Sequence, residues 1–322
     1  RLKQRVSFTL FENKDFKIVA DCTISKISQN LKTINEMNEN YEIEIEVMRK
    51  KNKLKYSKVS EKLIESIENI LRNLNSSNNI IGNREKTGVL DKYFELLTDK
   101  KKSNNLYRMN PESLEIQHVV DKITKNYSVS DKADGDAYQG IITNNKLYLI
   151  DNNCNVIESG IKNSKLSNYN DSIIDGELIY LPKYKKRTFL VFDILYYNGK
   201  DIRDEPFLEK RFRYLDDLIN NIFNYVKIEL NDNYDSVEQS YQDNSKKIDS
   251  YFLKFNKSLN ESKDELIVLR KFFIFTYGFS ENEIFKYSKL LYEKYLSEQC
   301  PYDIDGVMYT PMKQIYTKRM EE

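Results

Sequence analysis

A lysine two residues ahead of an aspartate–glycine pair, Lys132-Ala133-Asp134-Gly135, is the segment of this chain best equipped for covalent chemistry. A deprotonated lysine amine is a nucleophile towards phosphorus. Lys-x-Asp-Gly alone is weak, because it arises by chance. Here it is followed in order by Asp175-Gly176-Glu177-Leu178, by Phe189-Leu190-Val191-Phe192-Asp193 and by Asp305-Gly306-Val307. Each lies at the end of a strand-like run, an order hard to obtain by accident. Glu177 and Asp305 offer carboxylates to a divalent ion or a ribose. Phe192 offers a face for a nucleobase, although FLVF also reads as an apolar strand with a phenylalanine in its core, and Asp193 equally fits a strand-end cap. Attack by Lys132 needs a neutral amine, so nearby cations or burial must depress its pKa. Asp134 works against that, which favours positioning or metal contact for it.

A second constellation lies upstream. Glu42, Glu44 and Glu46 alternate with apolar residues, as do Arg1, Lys3 and Arg5, which continue into Ser7 and Thr9. On a strand, alternate side chains share a face at steps of about 6.5–7 Å. Acids on one strand and bases on another, each with an apolar reverse face, suit a barrel with a polar lumen. Glutamates there would hold Mg²⁺ or Mn²⁺ through oxygen, and Arg1, Lys3 and Arg5 would grip a polyphosphate. An exposed acidic strand face is the plain alternative for EIEIE.

The elements that must position these groups follow from periodicity. Three half-buried strands are expected up to about Val47, then a helix carrying Leu63, Ile64, Ile67, Ile70, Leu71 and Leu74 on one stripe, and a shorter one over Val89 to Leu97. DKKKSNNL, residues 99–106, reads as a linker, giving domains 1–105 and 106–322. Short strands then return, with hairpin turns at Asn144-Asn145 and Asn198-Gly199. A helix is expected through Phe212, Leu215, Leu218 and Ile219, a polar irregular insertion over 229–264, a helix over Ile284 to Tyr295, and a last strand at DIDGVMYTP. The 322 residues carry 51 Lys and Arg against 50 Asp and Glu, so any pull on nucleic acid must be local. Three separated cysteines exclude a disulfide scaffold or zinc ribbon and fit a reducing compartment. The single His118 reads as a packed or surface residue and argues against Ser-His-Asp chemistry. No apolar stretch nears the ~20 residues a membrane helix needs. RKKNKLKYSK and KYKKR could guide RNA phosphates, although charge runs of this kind are usually solvated faces.

Residues 106–318, through the four ordered segments above, resemble the covalent nucleotidyltransferase superfamily: capping guanylyltransferases and ATP- or NAD-dependent ligases. The resemblance implies that Lys132 becomes a lysyl-nucleotide, that Asp134, Gly135, Glu177, Phe192 and Asp305 bind the nucleotide, and that Phe192 stacks on its base. YEIEIEV resembles the second acidic metal strand of tunnel-type RNA triphosphatases, making Glu42, Glu44 and Glu46 half of a metal site. The implied architecture is α+β: a partial polar-lumen antiparallel β-barrel, then an antiparallel-sheet nucleotidyltransferase domain without its last motif and OB-fold. The chain reads as a piece of a larger polypeptide, and Lys313 is not assigned to the missing motif. Ala137 departs from the family's arginine. Asp305 where ligases carry Glu, the Tyr-Thr-Pro ending and the upstream acidic strand favour capping, as in enzymes of cytoplasmic DNA viruses and linear plasmids. The expected substrates are GTP and an RNA 5′ end, with Mg²⁺ or Mn²⁺, in the cytoplasm and off the membrane, with a methyltransferase domain or subunit in the full-length protein. An ATP-dependent ligase adenylation domain and a non-catalytic nucleotide-binding or scaffold module stay open as alternatives.

Overall fold

Alternation of polar and apolar residues near the start of the chain produces, in a computed structural model, an antiparallel sheet of β1 (Leu2–Glu12), β2 (Phe16–Lys26) and β3 (Asn40–Arg49), ordered β1-β2-β3. The structure describes residues 2–51, 55–74, 78–97, 106–121, 123, 126–223, 225–228 and 233–317. Asn13 tightens the first hairpin by accepting from the N–H groups of Asp15 and Phe16 at 2.8 and 2.9 Å. Register pairs Arg5 with Thr23 and Thr23 with Glu42, then Ser7 with Asp21 and Asp21 with Glu44. Bases, hydroxyls and acids therefore share one face. On the other, Phe16, Ile18 and Ala20 are buried. Leu10 and Ile43 line one cavity with Ser66, Ile70 and Leu74 of α1 (Tyr56–Leu74). This sheet is open. Among the described residues no barrel closes, because three strands are too few; even the small OB barrel uses about five. Of the expected partial barrel, the described residues form one three-stranded antiparallel wall.

The chain divides into two compact units, Arg1–Ile80 and Ile81–Glu322. α2 (Asn83–Leu96) belongs to the second, where Val89, Tyr93 and Phe94 join a core with Ile141, Tyr148 and Ile173. Residues 99–105 of the expected linker lie outside the described residues. After α3 (Ile116–Asp121), the second unit builds two sheets. A small one, ordered β12-β4-β13, consists of β12 (Phe273–Phe275), β4 (Tyr127–Ala133) and β13 (Ile304–Pro311). A larger one runs β10-β9-β8-β5-β6-β7, from β5 (Asp136–Thr143), β6 (Lys146–Asp151), β7 (Val156–Glu158), β8 (Ser172–Leu181), β9 (Lys186–Tyr197) and β10 (Lys200–Asp201). β11 (Leu266–Arg270) adds to β9 in parallel, so the sheet is mixed rather than wholly antiparallel. Both expected hairpin turns form, with positive φ at Asn144 (52°), Asn145 (61°), Asn198 (50°) and Gly199 (75°), the backbone that matches strand twist.

Helix α4 (Leu208–Ile222) buries Phe212, Leu215, Leu218 and Ile219. The expected irregular insertion is instead α5 (Val237–Glu261), 25 residues long. Its buried stripe runs Val237, Ser240, Asn244, Ile248, Tyr251, Phe252, Phe255 and Leu259, a helical spacing concealed by two polar members. Ser236 caps its start by accepting from the N–H of Gln239. α6 (Glu283–Tyr295) packs beside it through Tyr295, whose ring centroid lies 4.8 Å from that of Phe252. Where β8 meets β9, a Cβ on Gly176 would stand 2.6 Å from both Leu190 O and Phe189 Cε2. Gly176→Ala is therefore expected to lower stability by about 1–3 kcal/mol, read as a drop in thermal midpoint.

Candidate active site

Strand β4 is buried from Ser128 to Asp131, and Lys132 is the residue that emerges. Its Nζ lies 2.7 Å from Asp305 Oδ2. A bulge arranges this meeting. On β13, Ile304 pairs with Ala133 and Gly306 with Lys132, leaving Asp305 as the extra residue. Gly306 takes φ +142°, which favours glycine. The Asp305 hydrogen bond, with the carboxylates of Glu177 and Asp134 adding in the same direction, holds the Lys132 pKa above its ordinary value. The sequence argument required the opposite. The Lys132 amine is thus held as an ammonium, and any use of it as a nucleophile requires loss of that proton first.

Glu177 sits on β8 opposite Ala137. Its Oε2 accepts from Lys271 Nζ at 3.0 Å, and the same nitrogen lies 3.5 Å from Asp131 Oδ2. Phe192 is a bulge residue too. Asp175 pairs with Asp193 and Gly176 with Val191, so Phe192 stands between them without a partner in the ladder. It is half-buried where its neighbours are buried. The Arg108 guanidinium carbon lies 5.4 Å from its ring centroid and Lys271 Nζ 5.9 Å, within cation–π range. Asp193 is no strand-end cap: both its oxygens take Arg211, at 2.8 and 3.0 Å, in a buried pair. Asp134 is exposed at the turn between β4 and β5, its N–H donating to Asp303 O at 3.3 Å. At Gly135, a Cβ would stand 2.9 Å from Ile179 Cγ1. Ala137, half-buried, brings no charge to the site.

In the first unit, Arg5 binds Asp21 Oδ2 at 2.8 Å and Glu44 Oε2 at 2.5 Å, and donates to Thr23 Oγ1 at 3.2 Å. Lys3 and Glu46 are exposed on the same face, as is Glu42. Arg1 lies outside the described residues. Among the described residues no group of three His, Cys, Asp or Glu stands close enough to hold a metal ion. The second unit fits a different mode, in which one or two carboxylates share a hydrated Mg²⁺ with substrate phosphates. Asp305 and Glu177, which bear on the same amine, are donors of that kind.

Similarity to known proteins agrees with this geometry. Residues 71–289 match the family model for the mRNA capping enzyme catalytic domain, a span holding Lys132, Glu177 and Phe192. The chain belongs to that family. This capping-family chain is also 30% identical, over 330 aligned residues, to a probable mRNA-capping enzyme of Acanthamoeba polyphaga mimivirus. The alignment takes in 99% of the chain and 26% of that relative, so the chain spans about a quarter of the relative's length. Among the described residues no helix is long and apolar enough to cross a membrane.

Several residues beside the candidate site of this capping-family chain carried little or no signal in the sequence. Lys271 carried a local signal, a charged pair (Arg270-Lys271) inside the apolar run LIVLRKFFIF. Arg108, whose Nε lies 3.2 Å from Asp175 and whose Nη2 donates to Gly176 O at 3.1 Å, carried none. Asp175 is itself buried, and its Oδ2 accepts from Tyr316 Oη at 2.5 Å. Burial pushes its pKa up to about 6, against Arg108 and Tyr316. The folded state then binds the proton more tightly than an unfolded aspartate of pKa about 3.9. Its stabilising contribution is present in full below that value and is lost as pH rises through about 6. Unfolding free energy of the protein minus that of Asp175→Asn should therefore fall by about 3 kcal/mol in all between roughly pH 3 and 7. A difference that rises or stays flat in urea titrations would contradict this.

Proposed function

We propose that this chain transfers GMP from GTP to a diphosphate RNA 5′ end through a covalent lysyl-GMP on Lys132. The observation that carries the reading is the Lys132–Asp305 contact of 2.7 Å, with Glu177 and Asp134 acting on the same amine, in a chain of the capping enzyme catalytic domain family. Once neutral, the amine attacks the α-phosphorus of GTP. An N–P bond forms, the bond to the bridging oxygen breaks, and pyrophosphate leaves. A terminal phosphate oxygen of the RNA then attacks the same phosphorus, the N–P bond breaks, and Lys132 regains its proton. Phe192 presents its half-buried ring to the guanine, a stack worth about 1–3 kcal/mol. Glu177 and Asp305 would hold Mg²⁺ or Mn²⁺ together with the phosphates. The ion would offset charge on the leaving pyrophosphate.

The first unit fits the acidic wall of an RNA 5′-triphosphatase, which would prepare the diphosphate end. Its support is the shared polar face of Lys3, Arg5, Glu42, Glu44 and Glu46. Among the described residues this face carries one acidic strand, β3, so the triphosphatase reading rests on that strand alone.

Incubation with α-labelled GTP and Mg²⁺ or Mn²⁺ tests the transfer. The expected product is acid-labile, alkali-stable label on the protein, with pyrophosphate released. Label from ATP in preference to GTP would make the chain a ligase-type adenylation domain. Label from neither, in this chain or a longer one, would leave a nucleotide-binding module without catalysis.

A further inference from the structure

Lysine rarely lies in a protein interior without a compensating charge. The side chain of Lys271, 3% exposed, has two: Glu177 at 3.0 Å and Asp131 at 3.5 Å. The two carboxylates are not equivalent. Glu177 is 20% exposed at its side chain and faces the Lys132 site, whereas Asp131 is fully buried. Asp131 also accepts from Tyr302 Oη at 3.2 Å, while its Oδ1 has no hydrogen-bond partner. Its other surroundings are the tyrosines Tyr251 and Tyr295 and Cys300, none of which ionises readily there. It precedes Lys132 directly in β4, so it is fixed to the strand that carries the nucleophile.

Glu177 cannot serve Lys271 and a nucleotide equally. If it turns to a ribose hydroxyl or a phosphate-bound ion, Lys271 loses its closest counter-charge. A buried ammonium without one is strongly unfavourable, and such a lysine would hold Glu177 back. A second carboxyl group at 3.5 Å offsets that penalty: burial pushes the Asp131 pKa up, and the Lys271 ammonium pulls it back towards the charged form.

We infer that Asp131 is a positioning residue of the nucleotidyl-transfer site, keeping Lys271 in place beside Phe192 while Glu177 exchanges that lysine for the nucleotide. The inference rests on the nucleotide reading of the site. It assigns work to a residue that touches neither substrate nor Lys132, and it makes Asp131 act through Lys271 alone.

A double-mutant cycle on the full chain tests it, using Asp131→Asn, Lys271→Met and the pair. Two quantities are read: unfolding free energy, and the second-order rate of Lys132 labelling at subsaturating GTP, both at a temperature where all four proteins are folded. Asp131→Asn should slow labelling about tenfold or more, raising KM for GTP more than it lowers kcat. Lys271→Met should slow it comparably. The double variant should be no slower than the slower single, yet it should regain stability relative to Asp131→Asn, because no buried charge is left unpaired. Two results overturn the inference. One is labelling losses that multiply. The other is labelling that recovers together with stability, which would make Asp131 a structural counter-charge only. Should the unaltered chain take no label at all, the nucleotide reading falls, and the stability cycle still tells whether Asp131 and Lys271 are coupled.

Discussion

Lys132→Ala is expected to fold normally and to take no label from GTP under any condition that labels the unaltered protein. The side chain is 46% exposed and its hydrogen-bond partner, Asp305, is 51% exposed. Removing an exposed pair of this kind typically shifts stability by no more than about 0.5 kcal/mol. Loss of the nucleophile, in contrast, removes the bond that defines the intermediate, so labelling should fall by about 10³-fold or to the limit of detection. Lys132→Arg should be equally inactive, because a guanidinium keeps its proton. The unaltered protein should label faster as pH rises from about 6 to 9, since the carboxylate of Asp305 holds the amine in its charged form and the neutral fraction grows about tenfold per pH unit below the pKa. A labelled Lys132→Ala protein, with the label mapped to another lysine, would move the chemistry elsewhere.

Asp193→Asn should have the largest effect on stability, about 3–5 kcal/mol. Arg211 is 1% exposed and Asp193 is 4% exposed, with both oxygens of the carboxylate engaged. Substitution leaves a guanidinium charge in the interior with no counter-ion. Arg211 also donates to Glu205 O and Gln314 O, each at 2.8 Å, so it joins β9, the start of α4 and the segment after β13. The double variant Asp193→Asn/Arg211→Met should recover part of the loss, since the unpaired charge is gone while those two carbonyls still lack a donor. Urea unfolding of the three proteins measures this. A loss under 1 kcal/mol in the single variant would mean that water reaches the pair.

The residues that carry the site were legible where chemistry and local pattern coincide. Lys132 and Asp305 lie near strand ends and Glu177 in the middle of β8, and the structure brings both carboxylates to bear on the Lys132 amine. The Asn-containing turns were legible for the same reason: few residues tolerate positive φ. What escaped was mostly non-local. Lys271 and Glu177 are separated by 94 positions, and no periodicity reports their contact. Asp131 carries no local signal of burial, and β4 is buried on both faces from Ser128 to Asp131. α5 was hidden because Ser240 and Asn244 occupy its inward stripe, where Asn244 satisfies itself against Ser240. How much of a barrel the first sheet makes was not legible either, because polar and apolar faces do not state how many strands a sheet contains.

Phe192 and Asp305 share an architectural oddity: each is a supernumerary residue in its strand, skipped by the pairing on either side. Loss of one codon at either place would mend the ladder and give a more regular sheet. The mended protein would have a better backbone and a worse enzyme. The two side chains to which we assign the nucleotide thus exist as faults in the weave, and selection for foldability alone would tend to erase them.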